Sequence, residues 1–417
     1  ESENQSSQVK RIINSWRTQL ANDSAWEAVE ASTKPQDAGE VMDLASSRTL
    51  RQAWALFQFN FLELSQRQLT ELSAEQITSV AAHLFRGFWH NHTEDYGNAI
   101  YHLTRTLEQQ SDTLPALGLR AWLLNQMGLK KKSAKDLEIG CQLSPNNLFL
   151  LCMQERIATI NGDSEAANRI EGLCQEYPNE AFAQYMAGWI CSYLQRPEQS
   201  IRAHLRAIQL NPSMALVYNE LGNDLFGLGN NKESLIAFNE AVRLAPDWAL
   251  AYYNRGVFFE QNGYNEQAIE DYTNACRFNT TDASPPYNRG NIYMSQKEME
   301  KARTSYQEAV QRNPYHANAQ LNLGNVYLQQ DEVKKAIVQY KKVLEIDPSH
   351  KMALNNLGSC YLQLHDAEEA LRNFDKAIQH HPDDAQLLIN KMTILKELGR
   401  QEEMMELLLK LSTMNRK

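Results

Sequence analysis

The amino-acid sequence predicts an all-α fold in which pairs of helices are stacked as a solenoid. The first observation is a period, because prolines recur at one constant interval or at twice that interval, at Pro178, Pro212, Pro246, Pro314, Pro348 and Pro382. The second is that small and aromatic residues recur at fixed distances from these prolines. Such self-similarity is typical of repeat proteins, in which each unit needs its neighbours to bury its apolar face.

Each recurring residue has a structural reason in a helical hairpin. Glycine lies at a constant distance before the proline position, at Gly188, Gly222, Gly256, Gly290, Gly324 and Gly358. Alanine lies closer to it, at Ala207, Ala241, Ala275, Ala309 and Ala377, and an aromatic residue recurs at Phe238, Tyr272, Tyr306, Tyr340 and Phe374. We expect the small residues to let the helices approach closely and the aromatic ring to fill the space between neighbouring repeats. Proline cannot continue a helix and marks the turn into the next repeat.

This pattern resembles the tetratricopeptide-repeat (TPR) family, and the resemblance is most specific over residues 181–384. It implies a right-handed α-α superhelix with a concave groove that is lined by the first helix of each repeat. It also implies that the chain acts by binding other proteins.

The pattern divides the chain into four regions. Residues 1–79 are predicted to be a divergent helical region, either a cap of the array or a separate docking element. Residues 80–180 fit degenerate repeats, among them 147–180 and a repeat over 114–146 that is one residue short. Residues 181–384 are well-formed repeats, and residues 385–417 are a C-terminal capping repeat in which methionines replace the glycine and the alanine.

Composition excludes several classes of function. The chain has 417 residues, 43% of them hydrophobic, and a formal net charge of -10, which repels a phosphate backbone. No stretch approaches the roughly 18–20 apolar residues that cross a bilayer. We therefore expect partners that are proteins or peptides, with no nucleic acid and no membrane insertion, and the oligomeric state stays open. The start at Glu1 indicates that processing or truncation removed an upstream segment.

The cysteines and histidines predict no metal site, no cofactor and no catalytic centre. Cys141, Cys174 and Cys276 share a position that is apolar in other repeats, so we expect them to be core residues, whereas Cys152 is the only candidate for a reactive thiol. The histidines at 90, 92 and 102 gather near a predicted turn. Unpaired cysteines favour a reducing compartment and predict a cytoplasmic protein.

One recurring residue is not explained by packing. Asparagine recurs once per repeat in the first helices, at Asn254, Asn288, Asn322, Asn356 and Asn390. A buried asparagine costs free energy unless it is paired, so repetition of an amide on the inner helix indicates the groove. We call these five residues the amide row and expect them to bind a ligand.

Other groove positions extend this predicted site. They hold the amides Asn219, Asn223, Asn291 and Asn325 and the aromatic residues Tyr253 and Tyr287. An asparagine side chain offers both donors and an acceptor, so a row of them can bind the backbone of an extended peptide. The row is similar to the asparagine ladder in the TPR region of the O-linked N-acetylglucosamine transferase, which implies a peptide-clamping role.

Several alternatives stay open at this point. The amides can instead bond to neighbouring helices within the array. The groove positions from residue 215 onward contain no Lys or Arg, which disfavours a receptor for chaperone tails. The leading hypothesis is a non-catalytic interaction scaffold. The second is a regulatory or substrate-presenting subunit, or a fragment, of a larger enzyme complex, and the third is self-assembly through the leucine-rich C-terminal end.

Overall fold

A computed structural model describes residues 80–92 and 95–414 of the chain, so the predictions for residues 1–79 lie outside it. Over the described residues the protein is all-α, with twenty helices and no strand. In chain order they are α1 (Val80–His92), α2 (Tyr96–Gln109), α3 (Leu114–Gln126), α4 (Lys130–Leu143), α5 (Leu148–Ile160), α6 (Ala166–Glu176), α7 (Ala181–Tyr193), α8 (Pro197–Leu210), α9 (Ala215–Gly227), α10 (Asn231–Leu244), α11 (Ala249–Gln261), α12 (Asn265–Phe278), α13 (Ser284–Ser295), α14 (Met299–Arg312), α15 (Ala317–Gln329), α16 (Val333–Ile346), α17 (Lys351–Gln363), α18 (Ala367–His380), α19 (Ala385–Glu397) and α20 (Gln401–Met414).

The chain forms two compact units, and their boundary between Phe258 and Phe259 falls within α11. In unit 1, up to Phe258, α3 packs on α4, α7 on α8 and α9 on α10. In unit 2, from Phe259, α13 packs on α14, α15 on α16 and α17 on α18, and each of these second helices packs on the next first helix. Consecutive packing of helix pairs is typical of a TPR solenoid and confirms the predicted fold class.

The recurring aromatic residue lies over the recurring glycine of its own hairpin. A Cβ atom added to Gly222 would lie 2.7 Å from the ring of Phe238, and one added to Gly324 would lie 2.6 Å from the ring of Tyr340. Both rings are buried. The ring therefore closes the hairpin from within, which corrects our expectation that it fills only the space between neighbouring repeats.

From α3 to α20, the turn inside each hairpin contains one residue in the left-handed conformation. This residue is Gly128, Gly162, Gly229, Gly263 or Gly399, or else Gln195, Lys297, Asp331 or His365. These positions keep the interval of the repeat except for the step from Gly162 to Gln195, which is one residue shorter. The first helices α5 and α7 show the same short step, from Leu148 to Ala181. The shorter repeat is therefore 148–180 and not 114–146, and its second helix, α6, has only 11 residues.

An arginine supports the repeat that has Thr280 in place of proline. Arg312, at the end of α14, donates to the carbonyl oxygens of Asn279 at 2.7 Å, Asp282 at 2.9 Å and Cys276 at 2.9 Å. The bonds to Cys276 and Asn279 satisfy carbonyl groups at the end of α12, which have no partner inside that helix, and the bond to Asp282 satisfies one just before α13. The guanidinium thus holds the turn that proline marks in the other repeats.

Candidate functional site

The amide row of unit 2 is bonded to neighbouring amides and to the recurring tyrosines. Asn322 on α15 donates from Nδ2 to Oδ1 of Asn291 on α13 at 3.1 Å, and the same Nδ2 lies 3.4 Å from the hydroxyl oxygen of Tyr306. The Tyr306 hydroxyl donates to Asn291 Oδ1 at 2.8 Å. The three side chains therefore form one triangle that links two consecutive repeats.

The same triangle recurs one repeat further along. Asn356 on α17 donates to Oδ1 of Asn325 at 2.9 Å, and the Tyr340 hydroxyl donates to the same oxygen at 2.8 Å. At the next step Asn390 donates to Asn355 at 2.7 Å, and Asn355 donates to Asn356 at 3.2 Å. The amide row thus forms a directional network in which each member donates toward the preceding repeat.

Asn288, the first member of the amide row in unit 2, has a longer contact to the preceding repeat than Asn322 and Asn356 have. Asn288 lies with its Nδ2 3.5 Å from the hydroxyl oxygen of Tyr272. Tyr287, also predicted as a binding residue, is half-buried, and its ring centroid lies 4.8 Å from that of His316. The tyrosine is therefore packed against the next repeat and presents only part of its ring.

Unit 1 carries the remaining predicted binding residues. Asn254 donates to Oδ1 of Asn219 at 3.0 Å. Asn219 itself has no exposed surface, so our prediction that it contacts a ligand is wrong. Asn219 instead has a structural role, because its Oδ1 accepts the bond that links α9 to α11. Asn223 is exposed and Tyr253 is half-buried.

These contacts show which atoms of the amide side chains are bonded inside the protein and which are left for a ligand. The N–H end of the row is bonded inside the array, as the alternative of internal bonding predicts. The carbonyl end differs, because Oδ1 of Asn254 and Oδ1 of Asn322 accept no hydrogen bond from any described residue. Both amide side chains are half-buried and can therefore still reach solvent.

Apolar side chains lie on the same first helices of unit 2. Met352 on α17 is 52% exposed and Ile389 on α19 is 44% exposed, whereas Leu321 on α15 is buried. Apolar groups of this size are usually removed from water in a monomer. The first-helix face of unit 2 thus combines hydrogen-bond acceptors with exposed apolar side chains.

Comparison with protein families identifies the repeats. Models described as tetratricopeptide repeats match residues 219–283, 290–331, 317–350 and 352–384. These matches support the TPR family. They begin later than our predicted limit of residue 181, and a search of curated proteins gives no significant match.

Solved structures of TPR proteins resemble parts of this chain. YrrB, described as a TPR protein with an unusual peptide-binding site, is 26% identical over 45% of this chain and 96% of its own, with a TM-score of 0.40. The C-terminal part of a TPR protein from Cytophaga hutchinsonii is 17% identical over 57% and 98% of the two chains, with a TM-score of 0.49. A structure of the Cut9–Hcn1 hetero-tetramer of the APC/C is 13% identical over 83% of both chains, with a TM-score of 0.43.

The helices α7, α8 and α9 also bury a polar cluster that was not predicted from the sequence. His204 takes the place of the recurring aromatic residue, and its Nδ1 lies 3.1 Å from Oδ2 of Asp224. Ser192 donates to Oδ1 of Asp224 at 2.7 Å, and Ser200 also bonds to this carboxylate. His204 has no exposed surface, so the cluster ties α7, α8 and α9 together and has no route to a substrate. The signal in the sequence was the histidine at an otherwise aromatic position.

Two other predicted features change in the structure. Cys152 is fully buried, and burial raises the pKa of its thiol, so it is not the reactive cysteine that its position suggested. Cys141 and Cys174 are half-buried, so of the three cysteines predicted to be core residues only Cys276 is one.

The histidines near the first described turn form a compact group. His83 Nδ1 lies 2.9 Å from His102 Nδ1, and His90 stacks on His102 with ring centroids 5.4 Å apart. Burial, with the neighbouring imidazoles, lowers the pKa of His102 to about 4. Over residues 80–92 and 95–414, no group of three or more metal-ligating side chains could hold an ion. Within the same ranges, no helix has the length and apolar character of a membrane span.

Proposed function

We propose that this protein is a non-catalytic scaffold that binds an extended peptide segment along the amide row of unit 2. TPR proteins serve as protein-interaction scaffolds, which gives the class of function. The observation that carries the finer proposal is the one-sided use of the amide of Asn322, because Oδ1 of Asn356 and Oδ1 of Asn390 each accept one internal bond, from Asn355 and Gln386. The N–H groups of Asn322 are held by the preceding repeat, whereas Oδ1 of Asn322 accepts no bond from the described chain.

The internal bonds would assist binding by fixing the direction of each side chain. Asn322 is held at Nδ2 by Asn291 and Tyr306, so its carbonyl oxygen is positioned before a ligand arrives. A preorganised acceptor loses less conformational entropy on binding than a free side chain. The ligand would then donate backbone N–H groups to the row. The sequence resemblance to the asparagine ladder of the O-linked N-acetylglucosamine transferase is part of this proposal.

The exposed apolar residues favour a peptide over a purely polar ligand. In an extended peptide, successive side chains point to opposite sides, so alternate residues could contact Met352 and Ile389 while the backbone faces the amides. Methionine adapts to partners of different shape. We therefore propose an extended segment with apolar residues at alternate positions, recognised chiefly through its backbone.

The test starts from a random dodecapeptide library selected on the full chain, followed by measurement of Kd for an enriched, fluorescently labelled peptide. Replacing Asn322 and Asn356 by alanine removes two acceptors. Oδ1 of Asn356 accepts one bond from Asn355 and keeps a second lone pair for a ligand. Each hydrogen bond contributes about 0.5–1.5 kcal/mol, so the loss should be about 1–3 kcal/mol, or roughly 5-fold to 150-fold in Kd.

A matched control separates binding from stability. The double variant Tyr306→Phe and Tyr340→Phe removes the hydroxyl groups that support Asn291 and Asn325 but keeps every amide. Like the asparagine variant, this tyrosine variant should be less stable than wild type. Its Kd for the peptide, however, should change by less than about threefold. Equal loss of affinity in both double variants would mean that the amides act only through the fold, and unchanged affinity in the asparagine variant would remove the proposed contact.

A further inference from the structure

We propose that the first helices of unit 1 carry a second ligand site, centred on Arg156, that binds the carboxylate of an acidic peptide residue next to apolar residues. This site is independent of the amide row. It rests on the side chains that surround Arg156 and on a comparison of its hydrogen-bond partners with those of other partly buried arginines.

Arg156 is held between two indole rings from neighbouring repeats. Its Cζ lies 3.8 Å from the ring centroid of Trp122 on α3 and 4.4 Å from that of Trp189 on α7. The two indole centroids are 5.9 Å apart, with an angle of 89° between the rings. All three residues are the ninth of their helices, so they form one row across three first helices.

The hydrogen-bonding capacity of Arg156 is not used by the array. Its Nε is buried without a hydrogen-bond partner, and no ion pair with a described residue involves its guanidinium. A buried cation without a partner costs free energy, because its hydration is lost without compensation. Stacking on the indole rings offsets part of this cost but satisfies none of the N–H groups.

Three other partly buried arginines among the described residues are paired. Arg120 binds the carboxylate of Asp136 through two bonds of 2.8 Å, and Arg289 pairs with Glu308 at 2.6 Å. Arg312 donates to three carbonyl groups. Arg156 departs from this pattern, and the simplest physical reason is that its partner belongs to another molecule.

The neighbouring side chains restrict what that partner can be. Phe149 and Phe182 lie on the same first helices as the arginine and its Trp189 neighbour, with ring centroids 5.6 Å apart, and Trp189 stacks on Tyr193 at 5.5 Å. This face is therefore aromatic, in contrast to the amides of unit 2. Glu220 on α9 contributes one carboxyl, whose pKa is raised by burial. It interacts electrostatically with Arg156 but forms no ion-pair contact with it.

Stacking also selects the shape of the ligand group. The indole rings lie close to the guanidinium carbon and at 89° to each other, and we infer that a ligand reaches the guanidinium along its N–H edge. A planar carboxylate matches that edge through two parallel hydrogen bonds. The surrounding rings favour apolar residues beside the acid. These features together indicate an Asp or Glu side chain within an apolar segment.

The test uses two arrays of dodecapeptides that place either Glu or Gln among Leu, Phe and Ala residues. Wild-type protein should bind at least one Glu peptide about tenfold or more tightly than its Gln counterpart, measured by fluorescence anisotropy. The variant Arg156→Met should lose this preference. The exposed Arg105, which pairs with Glu108, gives the control Arg105→Met, and this variant should keep the preference.

Further variants keep the proposal falsifiable if Arg156→Met does not fold. Arg156→Lys retains a cation between the indoles but lacks the two-pronged edge, so it should fold, by circular dichroism, and lose most of the preference for Glu. The asparagine variants of unit 2 should not affect it. The proposal is overturned if no Glu peptide is preferred by wild type, if a folded Arg156 variant keeps the preference, or if phosphoserine peptides bind better than Glu peptides.

Discussion

Asp224 is a buried side chain of unit 1, and replacing it by alanine should destabilise α7, α8 and α9 by about 3–5 kcal/mol. Its carboxylate bonds to Ser192, Ser200 and His204. His204 has no exposed surface and its Nε2 already lacks a described partner, so the substitution would leave the ring with only the 3.4 Å contact between Nδ1 and Ser200. Asp224→Asn keeps the size and one acceptor oxygen and should cost less, about 1–3 kcal/mol.

Repeat arrays need not unfold in a single step, so the effect must be measured locally. Hydrogen exchange followed by mass spectrometry resolves the amides of α8 and α9 from those of α15–α18 in the same sample. A loss of about 3–5 kcal/mol should accelerate exchange in α8 and α9 by roughly 150-fold to 4,000-fold. Exchange in these helices that stays within about threefold of wild type would refute a supporting role for the carboxylate.

Three further substitutions test other parts of the fold. Gly324→Ala should lower the free energy of unfolding by about 1–3 kcal/mol, because the added Cβ would press on Tyr340. The control Gly172→Ala on α6 adds a Cβ that meets no atom within 4 Å, so thermal unfolding should show it to be neutral or stabilising. Arg312→Ala should lower the free energy of unfolding by about 2–4 kcal/mol and speed hydrogen exchange in α12 and α13. The control Arg372→Ala breaks an exposed ion pair with Glu369 and should lower it by less than about 0.5 kcal/mol. The lowered pKa of His102 means that folding favours its neutral form. The protection of amides in α1 and α2, corrected for the intrinsic pH dependence of exchange, should therefore fall as pH falls from 6.5 toward 4 and stay constant above 6.5, and His102→Phe should weaken this dependence.

The repeat architecture could be predicted because the same residue types recur in the sequence at a constant interval. Glycine, aromatic residue and proline each fill a fixed place in one hairpin, so a count along the sequence predicts both the helices and their pairing. The count failed where a repeat loses one residue, since the loss falls before Gln195 and the sequence of 114–180 carries few marks of the pattern.

The site was predicted less well than the fold, for physical reasons. Periodicity assigned the amides to first helices but could not reveal that Asn322 donates to Asn291, because the bond depends on the angle between two repeats. It also placed Asn219 on the binding surface, although the structure buries it. Arg156 was missed because the search for groove cations began at residue 215, after the repeat that holds it.

The central claim is that the carbonyl oxygens of the amide row bind a peptide backbone. The most direct measurement is an NMR titration of the full chain, labelled with ¹⁵N at asparagine, in which the side-chain NH₂ signals are followed as the selected peptide is added. We predict that the signals of Asn322 and Asn356 shift in proportion to occupancy, and that N-methylation of the contacting peptide amides abolishes the shifts. Saturated binding with these signals unmoved would contradict the claim.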